Sequence, residues 1–214
     1  NEQFDDEDFF EIKRLMNDRQ DNIWVGSKTG LSKISFTNNS EIFEIQKFNT
    51  FKDKQGELIK SPVFAIEEDK KGNIWVGYWK KGIAKLTFDK QSETYTSVNY
   101  QNQSNDINSL SNNFVRDILE DSNGDIWVGT NSGLNKLKQD ATGNITFTSY
   151  LNDPENKNSL SNNYVLDAFQ SSDGNLYVGT FGGGLNQIDI SNNTLNFKHY
   201  TTKEGLPSDI VYQI

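Results

Sequence analysis

The stretch DSNGDIWVGT, residues 121–130, recurs along the chain at near-constant spacing. Its copies are DNIWVGS at 21–27, GNIWVGY at 72–78 and GNLYVGT at 174–180. Their anchor aromatics, Trp24, Trp75, Trp127 and Tyr177, fall 51, 52 and 50 residues apart, and three of the chain's 4 tryptophans occupy them. A repeat of about fifty residues points to supersecondary units that bury their faces against one another, as in propellers and solenoids.

The third copy shows what each unit contains. NNFVRDILED (112–121) holds a short apolar run, read as a first strand. Asp121 to Gly124 form a tight turn, in which Gly124 can take positive φ without steric cost. Gly72, Gly174 and Asp21 stand at the equivalent places, and Asp tolerates that conformation. DIWVGT (125–130) is a second strand, rich in β-branched and aromatic residues. Gly133 then leads into a third, LNKLK (134–138), with equivalents starting at Leu31, Ile83 and Leu185. A turn at 140–144 precedes a fourth strand, ITFTSY (145–150). Four short antiparallel strands per unit predict an all-β chain, a β-propeller of four-stranded blades.

The anchor aromatics are expected to fill the gap between neighbouring blades. The glycines that follow (Gly26, Gly77, Gly129, Gly179) are expected to admit close backbone approach. The blades are placed at 10–50, 62–100, 113–150 and 163–200. GLPSDIVYQI (205–214) aligns with SLSNNFVRDI (109–118), so 208–214 is expected to open a fifth blade. That overhang predicts a partial propeller cut from a longer one, with seven blades in the parent. Open blade faces invite a partner.

Composition narrows the function classes. The formal charge is −9, with no basic cluster among aromatics, which disfavours direct nucleic-acid contact. No apolar run reaches the length of a membrane span, so any membrane link is expected through a segment of the parent. The absence of cysteine removes thiol catalysis, disulfides and cysteine-based metal sites. No cofactor or metal is expected.

LSNNFVRDILEDSNGDIWVGTNSGLNKL (110–137) closely resembles the two-component regulator propeller repeat, as do LSNNYVLDAFQSSDGNLYVGTFGGGLNQI (160–188) and GLPSDIVYQI. The first blade departs from it at EIKRLMND (11–18). The resemblance implies the periplasmic sensing part of a hybrid two-component receptor that recognises oligosaccharides and signals to a histidine kinase elsewhere in the parent. A second propeller or a homodimer partner is implied as well. The kinase, receiver and DNA-binding parts of such receptors are absent from these residues.

Candidate ligand-binding residues come from the loops between second and third strands, which emerge on the face where the chain leads into each blade. Blades two and four carry one extra residue there: Tyr78-Trp79-Lys80-Lys81 and Thr180-Phe181-Gly182-Gly183. Tyr78, Trp79, Lys80 and Phe181 are therefore expected on one rim, where rings and polar groups suit sugars. Asp117 and Asp167 sit at equivalent places on innermost strands, where Arg14, Ala65 and Gln213 stand in the other blades. They can bind a cation or a sugar hydroxyl, act as an acid/base pair, or simply line a solvated channel. Asp121, Asn123 and Asp125 alternate like a calcium loop but lack its downstream Glu, and a plain turn accounts for them. His199, the only histidine, is expected to pack or face solvent. Leu110 and Leu160, in the similar loops 101–113 and 151–163, are expected to tuck in as plugs.

Three functions follow: a sensory ligand-binding propeller, a non-catalytic interaction or dimerisation scaffold, and an enzyme. No acid and base pair can be assigned, so catalysis is not expected of this segment.

Overall fold

The computed structural model describes residues 12–36, 43–48, 61–140, 142–191 and 194–214. Positions 10, 11, 37–42 and 49–50 of the expected first blade lie outside the described residues, as do 141 and 192–193. The chain forms four antiparallel meanders, each a separate four-stranded sheet with strands in sequence order. The first comprises β1 (Ile12–Asn17), β2 (Ile23–Ser27), β3 (Gly30–Phe36) and β4 (Phe43–Phe48). The second holds β5 (Val63–Glu68), β6 (Ile74–Tyr78), β7 (Gly82–Asp89) and β8 (Thr94–Tyr100). The third holds β9 (Val115–Glu120), β10 (Ile126–Thr130), β11 (Gly133–Gln139) and β12 (Ile145–Tyr150). The fourth holds β13 (Val165–Gln170), β14 (Leu176–Thr180), β15 (Leu185–Asp189) and β16 (Asn196–Tyr200). The first strands β1, β5, β9 and β13 lie side by side in succession, so the sheets stack as propeller blades do. No helix among the described residues is long and apolar enough to cross a membrane.

The turn from first to second strand explains why the repeat phrase begins with Asp. Asp121 is buried; its Oδ1 accepts the backbone N–H groups of Asn123 and Asp125, at 2.9 and 3.0 Å, and closes the turn. Gly124 takes φ 85°, and Asp21 holds the same place at φ 60°. The other carboxylate oxygen accepts the Trp127 indole N–H at 2.8 Å, and Asp18–Trp24 and Asp69–Trp75 repeat the bond at 2.8 and 2.9 Å. Each tryptophan is thus buried with its one polar atom satisfied, as a buried indole requires. A lysine on the third strand lies over each ring: Lys33, Lys85 and Lys136 on Trp24, Trp75 and Trp127, at 5.9, 5.6 and 5.1 Å. The fourth blade changes all three positions at once. Ser171 replaces the Asp, Tyr177 the Trp, and Gln187 the Lys. Tyr177 is only half-buried, unlike the expected core anchor, and Gln187 instead accepts the Tyr200 hydroxyl at 2.8 Å.

Three apolar layers lie between successive blades, built around Trp24 with Val63 and Tyr78, around Trp75 with Val115 and Ile126, and around Trp127 with Val165 and Leu176. Truncating a residue of that kind costs ~3–5 kcal/mol. The strand-two glycine is what lets blades meet: a Cβ at Gly77 would stand 2.5 Å from Val115 Cγ1. Polar staples repeat with the same period. Glu68, Glu120 and Gln170, each closing a first strand, accept the N–H of Arg19, Lys70 and Ser122 in the preceding blade's turn, at 2.8, 2.8 and 2.7 Å.

Leu110 and Leu160 are fully buried plugs. Asn102 and Asn152 hold the loops around them, donating to the carbonyls of Leu110 and Leu160 at 2.8 and 2.7 Å.

Residues 208–214 do not form the regular strand that the repeat alignment leads one to expect. They make only an isolated bridge, Ile210 with Phe181. A strand needs a ladder partner on its own sheet, and none of these residues has one. Val211 nonetheless covers Gly179, as Val63, Val115 and Val165 cover Gly26, Gly77 and Gly129.

Candidate functional site: the aromatic mouth of the blade axis

In a meander the loops between second and third strands open at the end where each first strand begins. The extra residue in the second blade sets Trp79 there, half-buried. Its ring lies 5.2 Å from Phe64, at the start of β5, and 4.5 Å edge-on from Phe114, just before β9. The Arg116 guanidinium lies over Trp79 at 4.6 Å, Phe64 at 5.4 Å and Tyr164 at 5.1 Å. Arg116 Nε donates to Asn131 Oδ1 at 2.9 Å, and Nη2 donates to the Tyr164 hydroxyl. Tyr164 in turn packs against Phe181 with the rings tilted and their centroids 5.5 Å apart. Phe64, Trp79, Phe114, Arg116, Tyr164 and Phe181 so form one arc across three blades. Lys13 extends it, 5.8 Å from the Phe64 ring.

The sequence-derived residues fall in three places. Trp79, Lys80 and Phe181 belong to the arc; Phe181 is 43 % exposed, and Lys80 lies 5.8 Å over Phe114. Tyr78 does not belong to it. It is 2 % exposed in the layer between the first two blades, where burial raises its phenol pKa above the ordinary range. The reason is local: β6 is buried on both faces, so its last side chain enters the core and only the loop residue after it reaches the rim.

Asp117 and Asp167 lie one step further along the first strands. Asp117 is buried, and its Oδ2 accepts the Ala168 N–H of the next blade at 3.0 Å. Asp167 Oδ2 accepts the Ile214 N–H at 2.8 Å, the same bond one repeat on. Arg14 reaches Asp117 Oδ1 at 3.3 Å, across the strand where the equivalent residue is the small Ala65. Desolvation pushes the Asp117 carboxyl up to about 7, with Arg14 opposing and Asp167 reinforcing the rise. Desolvation also raises Asp167. These carboxylates fasten one innermost strand to the next, a use that the channel-lining and ligand readings both missed.

The remaining candidates are structural. Both Asp121 oxygens accept N–H donors of the turn and its anchor, the role that a plain turn assigns them. His199 Nε2 contacts the Ser159 carbonyl at 2.8 Å. A groove of about 560 Å³ between the first two blades, lined by Gln20, Lys33, Asn73, Phe88 and Tyr95 among others, lies at the opposite, turn end.

Phe64, Phe114, Arg116 and Tyr164 were not singled out from sequence. The signal was in the repeat columns: Phe114 and Tyr164 align with each other, and Arg116 aligns with Phe64 and Lys13.

The two-component regulator propeller model matches residues 57–80, 109–132 and 159–182. No curated protein matches the sequence. Among solved structures, the chain is similar to the extracellular domain assigned to the hybrid two component system BT3049 of B. thetaiotaomicron, with TM-score 0.68, 22% identity, and 95% of this chain and 24% of that one covered. It is similar to the extracellular domain assigned to BT4673 of the same organism, with TM-score 0.59, 22% identity, and 95% and 26% covered. It also resembles virginiamycin B lyase of Staphylococcus aureus, with TM-score 0.56, 14% identity, and 91% and 57% covered. At these identities the likeness is one of fold, and the chain spans about a quarter of the two extracellular domains. The repeats themselves carry the family likeness: three segments of the chain match the two-component regulator propeller repeat.

Proposed function

We propose that this chain is the ligand-sensing propeller region of a periplasmic hybrid two-component receptor, that it binds an oligosaccharide, and that it signals to a histidine kinase elsewhere in the parent. The aromatic mouth carries the proposal. Sugars offer flat C–H faces and many hydroxyls; half-buried rings interleaved with Asn131, the Tyr164 hydroxyl and Lys80 complement both. The repeat family and the fold neighbours support the receptor context. Val211 seated on Gly179 supports reading 208–214 as the start of a further blade. The parent propeller is read as having seven blades. Calorimetric titration of the full chain against a panel of oligosaccharides tests the proposal. Saturable heats for at least one sugar, lost in Trp79→Ala, are expected; flat titrations throughout would overturn it.

A scaffold function is the second reading. Ile12 and Leu15 on β1 are 62% and 58% exposed, and Phe169 and Tyr212 at the other end are 46% and 69% exposed. Apolar surface of that kind suits a second propeller or another copy of the chain. Sedimentation showing a dimer together with flat sugar titrations would favour it. The segment is read as non-catalytic, and incubation with polysaccharides should release no new reducing or unsaturated ends.

A further inference from the structure

Arg116 is unusual among the cations of this protein. Its guanidinium is half-buried among three rings, and two of its five N–H groups are taken, both by neutral acceptors, Asn131 and Tyr164. Among the described residues no carboxylate pairs with it. The neighbouring Asp117 turns away, toward Arg14 and the Ala168 N–H. The acidic excess of the chain, −9 overall, is thus not directed at this charge.

We infer that the ligand of the mouth carries an oxyanion, a carboxylate or a sulfate, and that Arg116 receives it. The inference rests on the oligosaccharide reading for the remainder of the ligand. A guanidinium is never deprotonated in a protein, and its planar fork matches an oxyanion with two parallel hydrogen bonds. Here the fork is held in plane by Asn131 and Tyr164 and clamped by Trp79, so little freedom is lost on binding. The rings that clamp it are the ones that would take the sugar faces, which places charge and platform side by side.

Lys80 points the same way. It holds φ 71°, where the equivalent residue of the fourth blade is Gly182 at φ 97°. A side chain in that region is strained, and glycine is not. The lysine kept there sets a second cation 5.8 Å over Phe114, on the same arc as Arg116.

Matched ligand pairs test the inference on the full chain. One pair is a galacturonic acid tetramer and its fully methyl-esterified form, which differ in charge but not in sugar; the other is a galactan tetramer with and without sulfate esters. Calorimetry should show at least one charged ligand binding roughly tenfold or more tighter than its neutral twin. Arg116→Gln should remove that preference, and Arg116→Lys should retain part of it. If Arg116→Gln does not fold, Lys80→Gln, at an exposed loop position, should reduce the preference several-fold. Equal binding of both twins overturns the oxyanion, and a preference that survives Arg116→Gln overturns Arg116 as the group that receives it; either result leaves the oligosaccharide reading intact. Binding of no charged tetramer overturns the inference, and binding of no sugar at all overturns both.

Discussion

The Trp127 indole N–H donates to Asp121 Oδ2 at 2.8 Å, six residues back across the first turn of its blade. One carboxylate therefore closes a turn with one oxygen and orients a blade anchor with the other. Asp121→Ala would strand three donors, two backbone N–H groups and the indole, in or near the core. A loss of ~2–4 kcal/mol is expected, read as a shift of the urea midpoint without a large change in slope.

The fourth blade offers the converse test. It lacks the Asp, the Trp and the covering Lys together. If the pair is one unit, Ser171→Asp and Tyr177→Trp should be coupled. A double-mutant cycle should give a favourable interaction of about 1 kcal/mol, and strict additivity would contradict the pairing.

Gly77→Ala should be more damaging than Gly174→Ala, although only Gly174 has positive φ. A Cβ at Gly77 meets Val115 Cγ1 at 2.5 Å and Ala65 Cβ at 3.0 Å, whereas a Cβ at Gly174 meets nothing within 4 Å. Wedging two blades apart is expected to cost ~1–3 kcal/mol or more, against ~1 kcal/mol for the left-handed turn position. Val115→Ala should partly rescue Gly77→Ala and do nothing for Gly174→Ala.

Stability should fall with rising pH through Asp117. Its folded pKa, about 7, lies above the ordinary carboxylate value of 3.8 because the group is desolvated. Between those values the folded protein holds a proton that the unfolded chain has released, so ionisation at higher pH opposes folding. Asp117→Asn should flatten this component: the variant's stability relative to the parent should rise from pH 4 to pH 7 and then level off. Urea titrations at several pH values check this, and a difference independent of pH would contradict it.

Most of the blade architecture was legible because the repeat carries its own punctuation. A turn glycine, a β-branched strand and an aromatic recur at one period, and each element has a local cause. The mouth was less legible, for two physical reasons. Alternation fails on a strand buried on both faces, so Tyr78 and Trp79 could not be separated by pattern although one is core and the other rim. Arg116 acquires its surroundings from residues that precede it by 52 and 37 positions and follow it by 48, Phe64, Trp79 and Tyr164, which only the stacking of blades brings together. Asp117 and Asp167 read as channel groups because the backbone N–H groups they bind leave no trace in side-chain identity.

Of the four indoles, Trp24, Trp75 and Trp127 are at most 2 % exposed, while Trp79 is half-buried at the mouth. Iodide quenching of tryptophan fluorescence therefore reports on Trp79 almost alone, with Trp79→Phe as the control. A bound oligosaccharide is expected to protect the accessible fraction saturably, with the same midpoint as its calorimetric isotherm. A sugar that binds the protein while leaving Trp79 fully quenchable would contradict the mouth as the ligand site.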